Sequence, residues 1–249
     1  MPMKKDIHLT GRDLAEMVQL RPQDIGKYVV VPGTPDRLQA AMKKLENPVK
    51  NFSFMEHLMY TGDVDGIRVT ALNGGMFSAN TAITTEILCN VQAQNIIRLG
   101  SCGALREDIK VGDLIVVTEC MRGDGVTPYY VDEEFKTASD VQITDALEKA
   151  GEKVGAKIHK GKAWTTDALL KETKEVVDKK EAEGAIAVDM VSSAFLTIAQ
   201  TYKVKAGAIL AVSDNLITGE MGFTNPMYYM AQSTMINVAL EAIKILEGK

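Results

Sequence analysis

Short apolar runs alternate along this chain with longer stretches in which apolar residues recur at helical spacing. Val29–Val31 is a β-branched run of the kind that forms a strand buried on both faces. By the same criteria the pattern predicts further strands at 52–61, 67–72, 96–100, 114–118, 158–164, 185–188 and 206–213, and helices at 35–45, 78–91, 141–154, 172–183, 192–202 and 226–246. Strands that alternate with helices favour one α/β domain, which we expect to span residues 1–249 around a mainly parallel or mixed sheet.

Three segments outside the main strands and helices also carry structural signals. Asp65-Gly66 is a strong hairpin turn signal between two of the predicted strands. Residues 122–135 are rich in Gly, Asp, Thr, Pro and Tyr, which predicts a long loop, and loops of this length are often functional. Residues 1–27 are polar with a few apolar positions at helical spacing, so we expect an N-terminal arm that packs on the body or on a partner.

Composition and charge narrow the class of protein. The chain has 249 residues, of which 46% are hydrophobic and 24% charged, as is usual for a soluble globular protein. A formal net charge of -5 predicts no general attraction for nucleic acid or for acidic membranes. The 3 cysteines and 3 histidines lack metal-site spacing, so we expect neither a metal centre nor a disulfide framework. Because the sequence has no signal-peptide pattern and no membrane-spanning run, the expected location is the cytoplasm.

The segment Tyr28–Arg37 joins a predicted strand to a predicted helix. Gly33 lets a ligand approach the backbone closely, and Pro35 suits the first turn of a helix because the N–H donor it lacks would be unpaired there. Free backbone N–H groups, the positive end of the helix and the guanidinium of Arg37 could then converge on one anion. The alternative is an ordinary strand-to-helix turn with a surface arginine.

Two further charged residues lie within or directly after apolar strands. Arg98 interrupts the predicted strand at 96–100, and a buried arginine needs either a core carboxylate or a bound anion. Ser101 follows the same strand and offers a hydroxyl and a backbone N–H. Asp214 follows the strand at 206–213, where α/β folds place ligands and acids, although an aspartate there could equally cap the next segment.

Four motifs lie in the order and spacing of one known family. They are Gly33–Arg37 (Gly-Thr-Pro-Asp-Arg), Ile97–Gly103 (Ile-Arg-Leu-Gly-Ser-Cys-Gly), Val188–Met190 (Val-Asp-Met) and Val212–Asn215 (Val-Ser-Asp-Asn). Through them the chain resembles the hexameric nucleoside phosphorylases, a family that includes uridine phosphorylase and the bacterial purine nucleoside phosphorylase. The resemblance extends over nearly the whole chain, from residue 20 to residue 227.

The resemblance implies a fold, a reaction and an assembly. The implied fold is a single-domain three-layer α/β/α sandwich with a mixed, partly barrel-like central sheet. The implied reaction is attack of inorganic phosphate, a co-substrate and not a cofactor, on C1′ of a nucleoside, which releases the base and a pentose 1-phosphate. Whether the base is of the purine type or the uridine type stays open. The implied partners are these small molecules and further copies of the chain, in a dimer or a hexamer.

The resemblance also assigns roles to individual residues. Asp214 would protonate or hydrogen-bond the base, and Arg98 would act both in catalysis and in binding phosphate. The implied phosphate-binding residues are Gly33, Arg37, Arg98 and Ser101. The implied nucleoside-binding residues are Met76, Cys102, Gly103, Val188, Met190 and Ser213. The positions implied to reach the site of a neighbouring subunit are Met17, Met55 and His57.

The chain departs from the family pattern around the sugar and the base. The ribose-binding glutamate of the family is Val191 here, and the polar residues that a neighbouring subunit lends fall at Met17 and Met55. Residues 166–175 contain no clear counterpart of the glutamine and arginine that read uracil. Two accounts follow: the substrate is less polar, such as a deoxy or 5′-modified nucleoside, or the protein has lost ordinary catalysis and binds or stores nucleosides. A hydrolase is a third possibility, although hydrolytic relatives lack the phosphate arginines.

Overall fold

A computed structural model describes residues 7–249 of the chain. Its strands are β1 (Tyr28–Pro32), β2 (Glu46–Phe54), β3 (His57–Val64), β4 (Ile67–Leu72), β5 (Asn95–Ala104), β6 (Leu114–Gly123), β7 (Thr137–Ala138), β8 (Ile158–Thr166), β9 (Ala185–Asp189), β10 (Lys205–Asn215) and β11 (Glu220–Met221). Its α-helices are α1 (Gly11–Met17), α2 (Pro35–Met42), α3 (Ser78–Asn90), α4 (Val141–Val154), α5 (Lys174–Ala182), α6 (Ser192–Thr201) and α7 (Pro226–Glu247).

All of these strands belong to one mixed sheet, part of which closes on itself. The strands β10, β6, β8, β9 and β5 each pair with the next, and β5 pairs again with β10, so that the five form a barrel. From β5 the sheet continues outward through β1, β4, β3 and β2. The parallel β5–β10 pairing and the antiparallel β6–β10 pairing confirm the predicted mixed, partly barrel-like sheet.

Helices cover both faces of this sheet and give the predicted three layers. Along β1, Val29 and Val31 pack in one hydrophobic cluster together with apolar residues of α1, α3 and α6. Tyr28 and Val30 pack in a second cluster with residues of α2, α4 and α7. A strand that contributes to both clusters must be apolar at successive positions, which explains its continuous run of valines.

The largest error in the predicted elements concerns residues 52–61, which were expected to form one strand. They contain the end of β2, a tight turn at Met55-Glu56 and the start of β3. Met55 has a φ of 52°, in the left-handed region that usually favours glycine or asparagine, so the residue types gave no turn signal. The helix predicted to begin at Glu172 begins at Lys174, which leaves Glu172 in the preceding loop.

The described part of the predicted N-terminal arm packs on the body of the protein. Thr10 caps α1 by accepting a hydrogen bond from the backbone N–H of Asp13 at 3.2 Å. Gly11 lies so close to α3 that an added Cβ would stand 2.7 Å from the carbonyl oxygen of Glu86. Residues 1–6 of that arm lie outside the described residues. None of the helices within residues 7–249 has the length and apolar character needed to cross a membrane.

Candidate active site

A cavity of about 250 Å³ lies where the carboxyl ends of the parallel strands β1, β5 and β10 come together. Sheets of this kind place ligands at that edge. Every predicted phosphate-binding and nucleoside-binding residue lines the cavity, and so does Asp214. The complete lining is Gly33, Thr34, Arg37, Met76, Arg98, Ser101, Cys102, Gly103, Leu169, Glu172, Val188, Asp189, Met190, Val191, Ser213, Asp214 and Phe223. The predicted loop at 122–135 lines a separate depression and does not reach this cavity.

Arg98 is a buried cation that forms no ion pair among residues 7–249. Its side chain is 3% exposed, its Nε makes no hydrogen bond, and its Nη1 lies 3.5 Å from the carbonyl oxygen of Val31. Burial and, after it, the charge of Arg37 lower the pKa of the Arg98 guanidinium. Arg98 forms no ion pair with a carboxylate among residues 7–249, although the charge of Asp189 acts on it from farther away and partly opposes the fall in its pKa. Such a group is stabilised by a bound anion.

Two glycines create the space that the Arg98 guanidinium occupies. A Cβ added at Gly33 would stand 2.6 Å from Nη2 of Arg98, and one at Gly74 would stand 3.3 Å from Nη1. Neither glycine has a positive φ, so conformational freedom is not what these positions require. The group that approaches the Gly33 backbone in this structure is the arginine of the neighbouring strand β5, and the close approach of a ligand there stays a prediction.

Arg37 projects from the first turn of α2 and is also buried, at 4% exposure, so the alternative of a surface arginine is wrong. Its Nη1 donates to the carbonyl oxygen of Leu99 at 2.9 Å, and its Nε and Nη2 donate to Oε1 of Gln232 at 3.2 and 3.1 Å. Burial lowers the pKa of its guanidinium. These contacts hold the arginine in place without neutralising its charge.

Two backbone donors near the start of α2 are already used. The N–H of Gly33 donates to the carbonyl oxygen of Leu99 at 3.1 Å, and the N–H of Arg37 donates to Oγ1 of Thr34 at 3.3 Å. These two N–H groups are therefore not free for an anion, and the prediction of backbone donors at this helix start can concern only the others. The hydroxyl of Ser101, by contrast, makes no hydrogen bond to a described residue and lines the cavity beside Arg98.

Asp214 lies at the end of β10, next to an irregularity in the strand. The pairing register with β5 shifts between Val212 and Asp214, and bulges of this kind re-aim side chains near active sites. The hydroxyl of Ser213 lies 2.7 Å from Oδ1 of Asp214 and 3.1 Å from the carbonyl oxygen of Cys102. No backbone N–H within residues 7–249 donates to the Asp214 carboxylate, so the capping alternative is not what the structure shows.

Sequence reasoning missed Glu172, the second carboxyl group that can act on a ligand in this cavity. The residue is half-buried in the loop before α5, and burial followed by the charge of Asp214 raises the pKa of its carboxyl to about 7. Its signal in the sequence was weak, because only Leu169-Leu170 distinguish this loop from a charged surface segment. A third carboxyl, that of Asp189, accepts hydrogen bonds from Thr165 and from the backbone and hydroxyl of Ser192 and so caps α6.

The remaining wall is largely apolar. Met76, Val188, Met190 and Val191 line it, and Val191 is only 2% exposed. A hydroxyl group of a ligand that faced these side chains would lose water without gaining a hydrogen-bond partner. Within residues 7–249 no group of three or more histidine, cysteine or acidic side chains could hold a metal ion.

The three positions expected to reach a neighbouring subunit lie outside the cavity. Met17 and Met55 are 61% and 77% exposed, and Met55 occupies the β2–β3 turn, so both side chains are available on the surface. His57 is buried, at 2% exposure, and its Nδ1 lies 2.9 Å from the carbonyl oxygen of Asn73. His57 is therefore not available on the surface in the way that Met17 and Met55 are, and its contribution to a neighbouring site stays a prediction.

Comparison with known proteins identifies the family. The family model of the phosphorylase superfamily matches residues 27–244, so the chain belongs to that superfamily. It is 28% identical over 243 residues to a uridine phosphorylase of Thermococcus kodakarensis, a match covering 92% of this chain and 85% of the relative. It is 33% identical over 224 residues to a DeoD-type purine nucleoside phosphorylase of Jannaschia sp., covering 89% and 95%. The resemblance inferred from the four motifs is confirmed.

Solved structures confirm the fold. The chain resembles a crystal structure of purine nucleoside phosphorylase from Toxoplasma gondii in complex with immucillin-H, with a TM-score of 0.85. The comparison covers 93% of this chain and 95% of the other, at 22% sequence identity. At this level of identity the likeness concerns the fold alone.

Proposed function

We propose that this protein cleaves the N-glycosidic bond of a nucleoside with inorganic phosphate, producing the free base and a pentose 1-phosphate. The observation that carries the proposal is the pair of buried arginines, Arg37 and Arg98, which form no ion pair with a carboxylate among residues 7–249 and line a cavity that also contains Asp214. Membership of the phosphorylase superfamily supports it.

Arg98 and Asp214 lie at different positions along the sheet. Asp214 pairs with Gly103, five residues beyond Arg98 on β5, and the side chains of Arg98 and Asp214 line the same cavity. Phosphate held by Arg37 and Arg98, with Ser101 as a further donor, would be oriented toward C1′ of the sugar.

In the proposed reaction, a phosphate oxygen forms a bond to C1′ while the bond from C1′ to the base nitrogen breaks. The electron pair of the broken bond goes to the base, and Asp214 donates a proton or a hydrogen bond to it. The arginines stabilise the phosphate as it approaches an electron-poor sugar carbon. Each group therefore has a separate role, and binding of phosphate by Arg37, Arg98 and Ser101 can be tested without the base.

The test is release of free base from a panel of nucleosides by protein dialysed free of phosphate, with and without added phosphate. Adenosine, inosine, uridine and their 2′-deoxy forms cover the bases and sugars left open above. We expect release that requires phosphate. Equal release without phosphate would show a hydrolase and would contradict the proposal.

Binding without turnover is a second candidate, and the observation that favours it is Val191. Where the family resemblance expects a ribose-binding glutamate, the cavity has this buried apolar side chain. Calorimetric binding of a nucleoside together with complete absence of base release from the whole panel would support this candidate.

We also propose that the protein forms a homo-oligomer, either a dimer or a hexamer. The exposed apolar side chains of Met17 and Met55 support this, because large apolar groups on a surface are often covered in an assembly. Sedimentation velocity at several protein concentrations tests it, and a single monomeric species throughout would contradict it.

A further inference from the structure

Gln232 supports Arg37 from outside the cavity. It lies on helix α7, is half-buried and does not line the cavity itself. Its Oε1 accepts hydrogen bonds from both Nε and Nη2 of Arg37, at 3.2 and 3.1 Å. Because a guanidinium offers only N–H donors, the oxygen of the amide is the atom that must face it. A carboxylate is the common partner of a buried arginine, and here an amide occupies that position.

The other partners of Arg37 are also uncharged. Its Nη1 donates to the carbonyl oxygen of Leu99 at 2.9 Å. Burial lowers the pKa of the Arg37 guanidinium, and interaction with Tyr228 partly opposes that fall. Tyr228 lies one turn before Gln232 on the same face of α7, and from Pro226 to Leu240 this helix contains no charged residue. Arg37 is therefore held by hydrogen bonds, and no nearby carboxylate of α7 balances its charge.

The uncharged amide has a consequence for the two arginines of the cavity. The charge of Arg37 is, after burial, the second cause that lowers the pKa of Arg98, and it exceeds the opposing effect of Asp189. A glutamate has nearly the same shape as Gln232, but it would neutralise Arg37 and reduce this repulsion. The amide accepts the same hydrogen bonds without adding a charge. It fixes the guanidinium and leaves both positive charges for one doubly charged anion.

We propose that Gln232 is a positioning residue whose uncharged amide sets the affinity of the cavity for phosphate. It orients Arg37 through two hydrogen bonds and leaves the charge of that arginine to the anion. Helix α7 thereby becomes part of the phosphate site, although none of its residues lines the cavity. This inference rests on the proposed function, because it takes inorganic phosphate as the anion that Arg37 and Arg98 bind.

The first test is calorimetric binding of inorganic phosphate to wild type and to Gln232→Glu, both dialysed free of phosphate. We expect the Kd for phosphate to rise at least about tenfold in Gln232→Glu, because the new carboxylate pairs with Arg37 and competes with the anion. The same substitution should raise the Tm of the phosphate-free protein by about 2–4 °C, since it neutralises a buried charge. A purely structural role for Gln232 would lower the Tm, so the direction of the Tm shift distinguishes the two roles.

Two further variants separate the effect of charge from that of geometry. Gln232→Met keeps the length of the side chain but removes the acceptor, so it should weaken phosphate binding and also lower the Tm of the phosphate-free protein. The matched control is Asn237→Asp, which adds the same charge at a half-buried amide five residues further along α7, on a different side of the helix. That variant should bind phosphate as tightly as wild type does.

Steady-state kinetics with the nucleoside that is cleaved fastest show which substrate is affected. Gln232→Glu should lower kcat/KM for phosphate at least about tenfold and leave the KM for the nucleoside unchanged, because it acts through Arg37. A general disturbance of the fold would change both values.

The calorimetric test requires no turnover, so it separates failure of this inference from failure of the proposed function. Absence of base release from every nucleoside would refute phosphorolysis, while weaker phosphate binding and a higher Tm in Gln232→Glu would still support the role of Gln232. Unchanged phosphate affinity or a lower Tm in Gln232→Glu would overturn that role. An equal loss of phosphate affinity in Asn237→Asp, or a wild type that binds no phosphate, would overturn it as well.

Discussion

Replacing Arg98 by methionine should make the phosphate-free protein more stable and at the same time remove its response to phosphate. The Arg98 side chain is 3% exposed, its Nε has no hydrogen-bond partner, and no described carboxylate forms an ion pair with it; the charge of Asp189 acts on it less strongly than burial and Arg37 do. The phosphate-free protein therefore holds a buried cation without an ion-pair partner, and a bound anion would relieve its cost. A methionine fills much of the same space without a charge.

The magnitude follows from these two features. A buried polar group left unsatisfied costs about 1–3 kcal/mol, and apolar replacements of buried charged groups are often stabilising by about 1–4 kcal/mol. We expect the free energy of unfolding of phosphate-free Arg98→Met to exceed that of wild type by about 1–3 kcal/mol. Phosphate at 100 times its Kd should stabilise wild type by about 2.7 kcal/mol and the variant not at all.

Urea denaturation at fixed protein concentration, with and without phosphate, measures both quantities. The matched control is Arg106→Met, because Arg106 is an exposed arginine whose partner is Asp108 and which lies outside the cavity. That variant should match wild type in stability and in its response to phosphate. The reasoning is refuted if phosphate-free Arg98→Met is less stable than wild type, or if phosphate stabilises the variant as strongly as it stabilises wild type.

Three further substitutions test other parts of the site. Gly33→Ala places a Cβ 2.6 Å from Nη2 of Arg98 and should weaken phosphate binding about tenfold or more. The control Gly125→Ala meets only an ordinary contact at 3.5 Å and should leave phosphate binding unchanged. Calorimetry that gives the two variants equal Kd values for phosphate would contradict this. Asp214→Asn should lower kcat for the preferred nucleoside while the phosphate-induced shift in Tm stays the same, and loss of both together would indicate a structural role. Val191→Glu should raise kcat/KM for a ribonucleoside relative to its 2′-deoxy analogue, because a carboxylate supplies the missing partner for sugar hydroxyls. The buried carboxylate should also lower the Tm of the free protein. An unchanged ratio of the two kcat/KM values would show that other residues hold the sugar.

The hydrophobic pattern was enough to locate most strands and helices because the sheet is covered on both faces. Strand β1 contributes to two hydrophobic clusters, so its run of valines is continuous and easily recognised. Strand β2 is mostly exposed and ends in a turn at Met55-Glu56 that has no glycine, so the pattern merged its end with β3. The closure of the barrel by β5 and β10 joins segments about a hundred residues apart, which local periodicity does not report.

The site was predictable where a polar residue contrasted with its apolar neighbours. Arg98 was recognisable because it interrupts a buried strand, and Asp214 because it ends one. Glu172 was missed because it lies among charged residues, and its burial depends on how the loop before α5 folds over the cavity. The hydrogen bond from the Gly33 N–H to the carbonyl oxygen of Leu99 forms because β1 pairs with β5, and the residue types do not specify that pairing.

The most direct test of the account is ³¹P NMR of the wild-type protein incubated with phosphate and the nucleoside that it cleaves fastest. The account predicts that inorganic phosphate is consumed and a pentose 1-phosphate appears in a one-to-one ratio with the free base, which chromatography of the same samples quantifies. Free base that accumulates with unmodified pentose, while the phosphate signal stays constant, would contradict the claim that Arg37 and Arg98 hold phosphate as the attacking group.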